Sequence, residues 1–156
     1  MKIVRQETDF DCAAAVLAML LGCSLQEAKA RFPVGIDFTQ SQTTIVHIED
    51  IMMILAGSGF TIAPFWNRLC SSYVSVPFIK GPGFAQIEWN SAAFHLVAIS
   101  EDNDVFDPLK DEPAKLTDYE RINFVAAVRR QRRTNELLTS ASCGRPSRKE
   151  RRQKCG

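Results

Sequence analysis

The stretch that decides the fold is Gln6–Met19, which reads QETDFDCAAAVLAM. An acidic, turn-favouring segment meets an apolar run there, and the change falls at Cys12. A sulfur at the start of a helix lies beside unpaired backbone N–H groups and the positive end of the helix dipole, which together favour a thiolate. The pattern therefore indicates a reactive cysteine. A small, buried structural cysteine is the alternative interpretation.

Gln6 precedes Cys12 by six positions, on the loop that would pass in front of the helix N-terminus. Its side-chain amide would direct an N–H towards an oxyanion that forms beside the sulfur. The backbone N–H of Cys12 would be the second donor. Together these groups outline half of a cysteine-protease site.

The chain has 156 residues, enough for one domain with a real core. Its net charge of +1 hides an asymmetry: residues 1–128 carry 9 basic and 16 acidic side chains (net −7), and residues 129–156 carry 10 basic and 2 acidic ones (net +8). We therefore predict a domain over residues 1–133 and a basic, disordered tail over residues 134–156. The tail is interpreted either as a solubilising extension or as a contact for an anionic partner such as nucleic acid.

The five cysteines form no CxxC pair and no zinc-ligand spacing. This pattern argues against a disulfide framework and against a metal site, so we expect no cofactor. Acidic residues just ahead of the apolar run argue against an export signal, and no run reaches the ~18 apolar residues of a membrane span. We expect a cytoplasmic protein with no membrane span.

Helical signals fill the first half of the domain. The apolar run from Cys12 stops at Gly22, a capping box at Ser24–Glu27 opens a second helix, and a third helix is predicted from Thr44 to Gly57. In the second half the period changes to short, β-branched or aromatic segments between turn residues, at 60–63, 73–79, 84–89, 94–100 and 104–107.

A second capping box at Thr117–Glu120 predicts a final helix with Ile122, Val125 and Val128 on one face. The predicted fold class is α+β, with a helical first half packed on a C-terminal antiparallel sheet.

His95 stands near the start of the strand predicted at 94–100, and Asp107 ends the strand that follows. A hairpin centred near Glu101 would make them cross-strand neighbours on the same face. The carboxylate would then orient the imidazole towards the sulfur. Taken singly, His95 is interpreted as a core histidine and Asp107 as a turn cap, whereas the order Gln, Cys, His, Asp favours a catalytic set. The other histidine, His47, is expected at the surface or at a helix cap.

These residues resemble the papain-like peptidases that process bacteriocin and peptide precursors behind a double-glycine leader. The matching positions are Gln6, Cys12, Met19, His95, Asp107 and Pro108, within a resemblance that covers about residues 3–112. The resemblance implies a papain-like fold with a catalytic helix. The family usually has Gly directly after the Cys, where this chain has Ala13. No transporter domain is present in the sequence, so we expect a free-standing relative.

We therefore predict a cysteine peptidase that hydrolyses peptide bonds, with transfer of the same acyl group to an amine as the near variant. Cys12 would be the nucleophile, His95 the general base and acid, Asp107 the group that orients His95, and Gln6 an oxyanion donor. Its partner would be a peptide or protein substrate. A catalytically silent peptide-binding module, or a basic-tailed interaction protein of the same fold, is the alternative.

Overall fold

Helices come first along the chain and strands follow. The computed structural model describes residues 1–39, 46–66, 81–90, 93–119 and 121–131. Within these ranges the helices are α1 (Cys12–Leu21), α2 (Leu25–Lys29) and α3 (Ile48–Gly57), and a 3₁₀ turn spans Leu116–Asp118. The strands are β1 (Phe60–Trp66), β2 (Gly83–Asn90), β3 (Ala93–Ile99), β4 (Asp104–Phe106), β5 (Ala114–Lys115) and β6 (Ile122–Arg130). The predicted α+β class is confirmed.

The helix α1 lies at the centre of the fold. Its residues Ala13–Met19 are all buried, and the helix packs against β3. It ends at Gly22, which adopts a left-handed conformation (φ 69°) and donates its N–H to Ala18 O. The predicted position of this helix is therefore confirmed at both ends, and Cys12 is its first residue.

The loop ahead of α1 is organised by a buried carboxylate. Asp11 has no exposed surface, and it accepts the backbone N–H groups of Glu7 and Thr8, each at 3.2 Å. Lys29, the last residue of α2, brings Nζ to 2.8 Å from Asp11 Oδ2 and to 2.9 Å from Glu7 Oε2. Because a buried charge needs compensation, Lys29 ties α2 to the loop that carries Cys12 into the helix.

The strands form one antiparallel sheet in the order β1-β6-β2-β3-β4-β5. One face carries Leu96, Ala98 and Phe124 and packs with the helices in a single apolar cluster. The other face has a smaller cluster of its own, formed by Ala85, Ile87, Val97, Ile99, Val105, Val125 and Ala127. The sheet is therefore buried on both sides over its central strands.

The final helix predicted after Thr117 is wrong. Only the 3₁₀ turn Leu116–Asp118 forms there, and Ile122–Arg130 is the strand β6, paired with β1 on one side and β2 on the other. The five consecutive residues from Phe124 to Val128 are all buried. A strand covered on both faces loses its polar alternation, so its apolar residues also fit a helical spacing.

The third helix begins at Ile48, later than the predicted start at Thr44. Thr44 itself, the strand predicted at 73–79 and the tail 134–156 lie outside the described residues, so the strand and the tail stay predictions. His47 is the N-cap residue of α3, and its backbone N–H donates to Asp50 Oδ2 at 2.9 Å. Its interpretation as a capping residue is confirmed.

Among the described helices, none combines the length and apolar character needed to cross a membrane.

Replacing Gly83 with alanine should destabilise the protein. A Cβ at this position would lie 2.2 Å from the backbone oxygen of Ala126, because β2 and β6 approach closely there. We expect Gly83→Ala to lower the free energy of unfolding by about 1–3 kcal/mol in urea denaturation. Gly57→Ala is the matched control, since nothing lies within 4 Å of its added Cβ. Equal stability of the two variants would contradict this packing.

Replacing Lys29 should leave the buried charge of Asp11 without its cation. We expect Lys29→Met to lower the free energy of unfolding by roughly 3 kcal/mol, and the double variant with Asp11→Asn to recover part of the loss. Arg5→Met breaks the exposed Arg5–Asp111 pair and should change little. Similar small effects of Lys29→Met and Arg5→Met would show that Lys29 does not hold this loop.

Candidate active site

Cys12 is presented by the N-terminus of the central helix. It is half-buried and free of any disulfide. Its N–H belongs to the first helical turn, where backbone N–H groups have no acceptor within the helix. The helix dipole places partial positive charge at the same point. The location is therefore suited to a nucleophilic sulfur and to an oxyanion beside it.

His95 and Asp107 are in direct contact. Nε2 of His95 lies 2.8 Å from Oδ1 of Asp107, and the two side chains are 6% and 0% exposed. The strands β3 and β4 pair Ala98 with Phe106 and Ile99 with Val105. This register places Val97, not His95, opposite Asp107, which differs by two residues from the expected pairing.

The two-residue difference does not separate His95 from Asp107. Side chains along a strand alternate between faces, so a shift of two residues returns each to its original face. Asp107 is then a diagonal neighbour of His95, a distance that long side chains can bridge. The expected contact therefore forms in a different register from the one predicted.

The carboxylate of Asp107 is surrounded by hydrogen-bond donors. Besides His95, the backbone N–H of Leu109 donates to Oδ1 at 2.9 Å and the hydroxyl of Tyr119 donates to Oδ2 at 2.9 Å. Burial opposes ionisation, but the bonds from His95, Leu109 and Tyr119 outweigh it and hold the pKa of Asp107 below its usual range. Asp107 is therefore kept ionised in the interior.

His95 lies between this carboxylate and the thiol of Cys12. Burial alone would lower its pKa, but hydrogen bonds with Asp107 and with Cys12 outweigh that effect and raise the pKa of His95 to about 9. Since Asp107 engages Nε2, the ring nitrogen left for Cys12 is Nδ1. The imidazole is thus oriented by one partner and directed at the other.

Gln6 lies on the loop that joins this site. Its backbone N–H donates to Pro108 O at 3.3 Å, so the loop is attached to the chain directly after Asp107. Its side-chain Nε2 donates to Thr8 O at 2.9 Å, and its Oε1 is buried without a partner among the described residues. An amide nitrogen carries two N–H groups, so one remains for another acceptor.

Three of the four predicted site residues are therefore brought together, and the fourth lies on a loop bonded beside them. Sequence reasoning missed Tyr119, which it placed in a capping box, and missed the Lys29–Asp11 pair that supports the loop before Cys12. Both are tertiary contacts between distant segments, for which no local signal exists. In the described ranges no group of His, Cys, Asp and Glu could hold a metal ion.

The fold is similar to that of solved peptidase domains. The peptidase domain of Streptococcus ComA, a bi-functional ABC transporter involved in a quorum-sensing pathway, superposes with a TM-score of 0.53 at 16% identity, over 83% of this chain and 98% of that domain. The peptidase domain of Streptococcus mutans ComA, solved with a small-molecule inhibitor, has a TM-score of 0.47 at 16% identity, over 82% and 98% of the two chains. No family model and no curated protein matches the sequence.

At 16% identity the likeness establishes the fold, and it spans nearly the whole of the ComA peptidase domain. The resemblance read from the sequence is confirmed at that level: this chain has the papain-like fold of the peptidase domain of ComA.

Proposed function

We propose that this chain is a cysteine peptidase in which Cys12, His95 and Asp107 form the catalytic triad. The observation that carries the proposal is the position of His95, whose ring joins a fully buried carboxylate to the thiol at the N-terminus of α1. A buried histidine with a merely structural role needs a partner for its polar atoms, but it does not need a cysteine as that partner. The peptidase fold of the similar ComA domain adds support.

The chemistry follows from these contacts. The thiolate of Cys12 attacks the carbonyl carbon of a peptide bond. The carbonyl oxygen becomes negative and accepts hydrogen bonds from the backbone N–H of Cys12 and from the side-chain amide of Gln6. His95 gives its proton to the departing amine as the C–N bond breaks, which leaves a thioester on Cys12. Water then attacks the thioester, His95 takes a proton from it, and the acid and the thiolate are released.

Asp107 serves this cycle without changing its own protonation. Its negative charge stabilises the imidazolium form of His95, and its bond to Nε2 directs the opposite nitrogen at the sulfur. The substrate proposed is a peptide or protein. The anionic partner expected for the basic segment 134–156 stays a prediction, because that segment lies outside the described residues.

A catalytically silent peptide-binding module of the same fold is the second candidate. It is favoured by the contact of Gln6 Nε2 with Thr8 O, which engages one N–H of the amide that an oxyanion would need. The two candidates differ in whether His95 activates Cys12, and this difference can be measured without a known substrate.

An iodoacetamide-type thiol probe should label Cys12 faster than the other cysteines at neutral pH, and His95→Ala should slow that labelling at least about a hundredfold. Burial raises the pKa of Cys23, so this second half-buried thiol should react slowly. The measurement is the labelling rate of each cysteine by peptide mass spectrometry. The chain has only 2 histidines, which makes His47→Ala the matched control. Labelling of Cys12 that is indifferent to His95 would favour the silent module.

The titration of His95 should reflect its two partners. Proton NMR of the ring should give a midpoint near pH 9, whereas Asp107→Asn removes the charge that favours the imidazolium and should move the midpoint down towards 6.5. A histidine with a raised pKa adds stability that is complete below pH 6.5 and is lost as the pH rises through about 9. Titration of His95 at an ordinary pH in the unmodified protein would contradict the ion pair.

A further inference from the structure

The two oxygens of Asp107 have different partners. Oδ1 accepts from His95 Nε2 at 2.8 Å and from the backbone N–H of Leu109 at 2.9 Å. Within the part of the chain that the structure describes, the donor that reaches Oδ2 is the hydroxyl of Tyr119, at 2.9 Å. One oxygen is thus committed to the histidine, and the other is held by a phenol.

Tyr119 is itself held in place from several directions. It follows the 3₁₀ turn Leu116–Asp118, and its ring packs against the smaller apolar cluster together with Leu116 and Ile122. Nζ of Lys110 also lies over the ring, 4.5 Å from its centroid. The ring of Tyr119 is therefore oriented by contacts other than its bond to Asp107, and this orientation places the hydroxyl at the carboxylate.

The hydroxyl acts as a donor over the whole working range of pH. Burial, followed by the charge of Asp107 and the bond to it, raises the pKa of Tyr119 well above its ordinary value. The charged groups that bear on the Asp107–Tyr119 contact are His95, Lys110 and Asp118. None of them competes for the phenolic proton in the described contacts.

We propose that Tyr119 is a positioning residue of the active site, whose hydroxyl holds Oδ2 of Asp107 so that Oδ1 stays directed at Nε2 of His95. The role in catalysis rests on the proposed peptidase function, whereas the coupling between Tyr119 and Asp107 can be measured without it. A carboxylate can rotate and present either oxygen. Two donors on Oδ1 and one on Oδ2 select a single orientation, and a lost donor leaves a buried oxygen unsatisfied.

The direct test is Tyr119→Phe, which keeps the ring and removes the hydroxyl. Carbon-13 NMR of the Asp107 carboxyl, assigned by its loss in Asp107→Asn, should show the pKa of Asp107 rising towards its ordinary range in Tyr119→Phe, because one of the bonds that lower it is lost. Thr117→Val is the matched control, since it removes an exposed hydroxyl from the same 3₁₀ turn and leaves the packing of the Tyr119 ring in place. A titration of Asp107 that is the same in Tyr119→Phe, Thr117→Val and the unmodified protein would overturn the proposal.

Turnover supplies the second readout. With a cleavable peptide, Tyr119→Phe should lower kcat about tenfold with KM unchanged, because the lost bond orients His95 and contacts no substrate. Thr117→Val, an exposed change in the same turn, should leave kcat within about twofold. Unchanged kcat in Tyr119→Phe, in a protein that does turn over, overturns the positioning role. A shifted Asp107 titration in a protein without any turnover would instead uphold the coupling and reject the peptidase.

Discussion

A carboxylate with no access to water, Asp107, is the constraint on which the rest of the structure depends. An isolated charge in the interior is costly, so its surroundings must supply hydrogen bonds. Two of the donors, His95 on β3 and Tyr119 after the 3₁₀ turn, are each 12 residues from Asp107, and the third is the nearby backbone N–H of Leu109. Asp107 obtains all of these hydrogen bonds only when β3, β4 and the segment after the 3₁₀ turn are folded against one another. The site therefore depends on this part of the fold.

A second buried carboxylate, Asp11, plays the corresponding part on the other side of the site. It stands directly before Cys12, accepts two backbone N–H groups of its own loop, and is neutralised by Lys29 of α2. The loop that precedes Cys12 is also bonded to the segment that follows Asp107, because the backbone N–H of Gln6 donates to Pro108 O. The helix that presents the thiol and the strands that present the imidazole are thereby joined at the point where both are needed.

Local signals in the sequence predicted α1 well and β6 poorly, for reasons that can be stated residue by residue. An apolar run that stops at Gly22 has one simple solution, a buried helix. The segment after Ile122 is apolar on both faces, and in such a segment the helical and strand periods cannot be told apart. The contact between His95 and Asp107 was predictable despite a register error, because a two-residue shift preserves the face.

Tyr119 and Lys29 were beyond prediction for a different reason. Tyr119 sits in a pattern that fits a capping box, and its partner Asp107 is 12 residues away across a turn. Lys29 meets Asp11 only because α2 folds back along α1. In both cases the side chain is ordinary in its own segment, and its role appears only when an acidic group from elsewhere is buried against it.

The central claim is that one imidazole joins the carboxylate of Asp107 to the sulfur of Cys12, and nitrogen-15 NMR of the His95 ring at pH 7 tests it most directly. The account predicts a ring protonated on both nitrogens, with the Nε2 proton shifted downfield by its bond to Asp107 and the Nδ1 signal altered in Cys12→Ala. A neutral ring, or one whose Nδ1 signal does not respond to loss of the Cys12 sulfur, would contradict it.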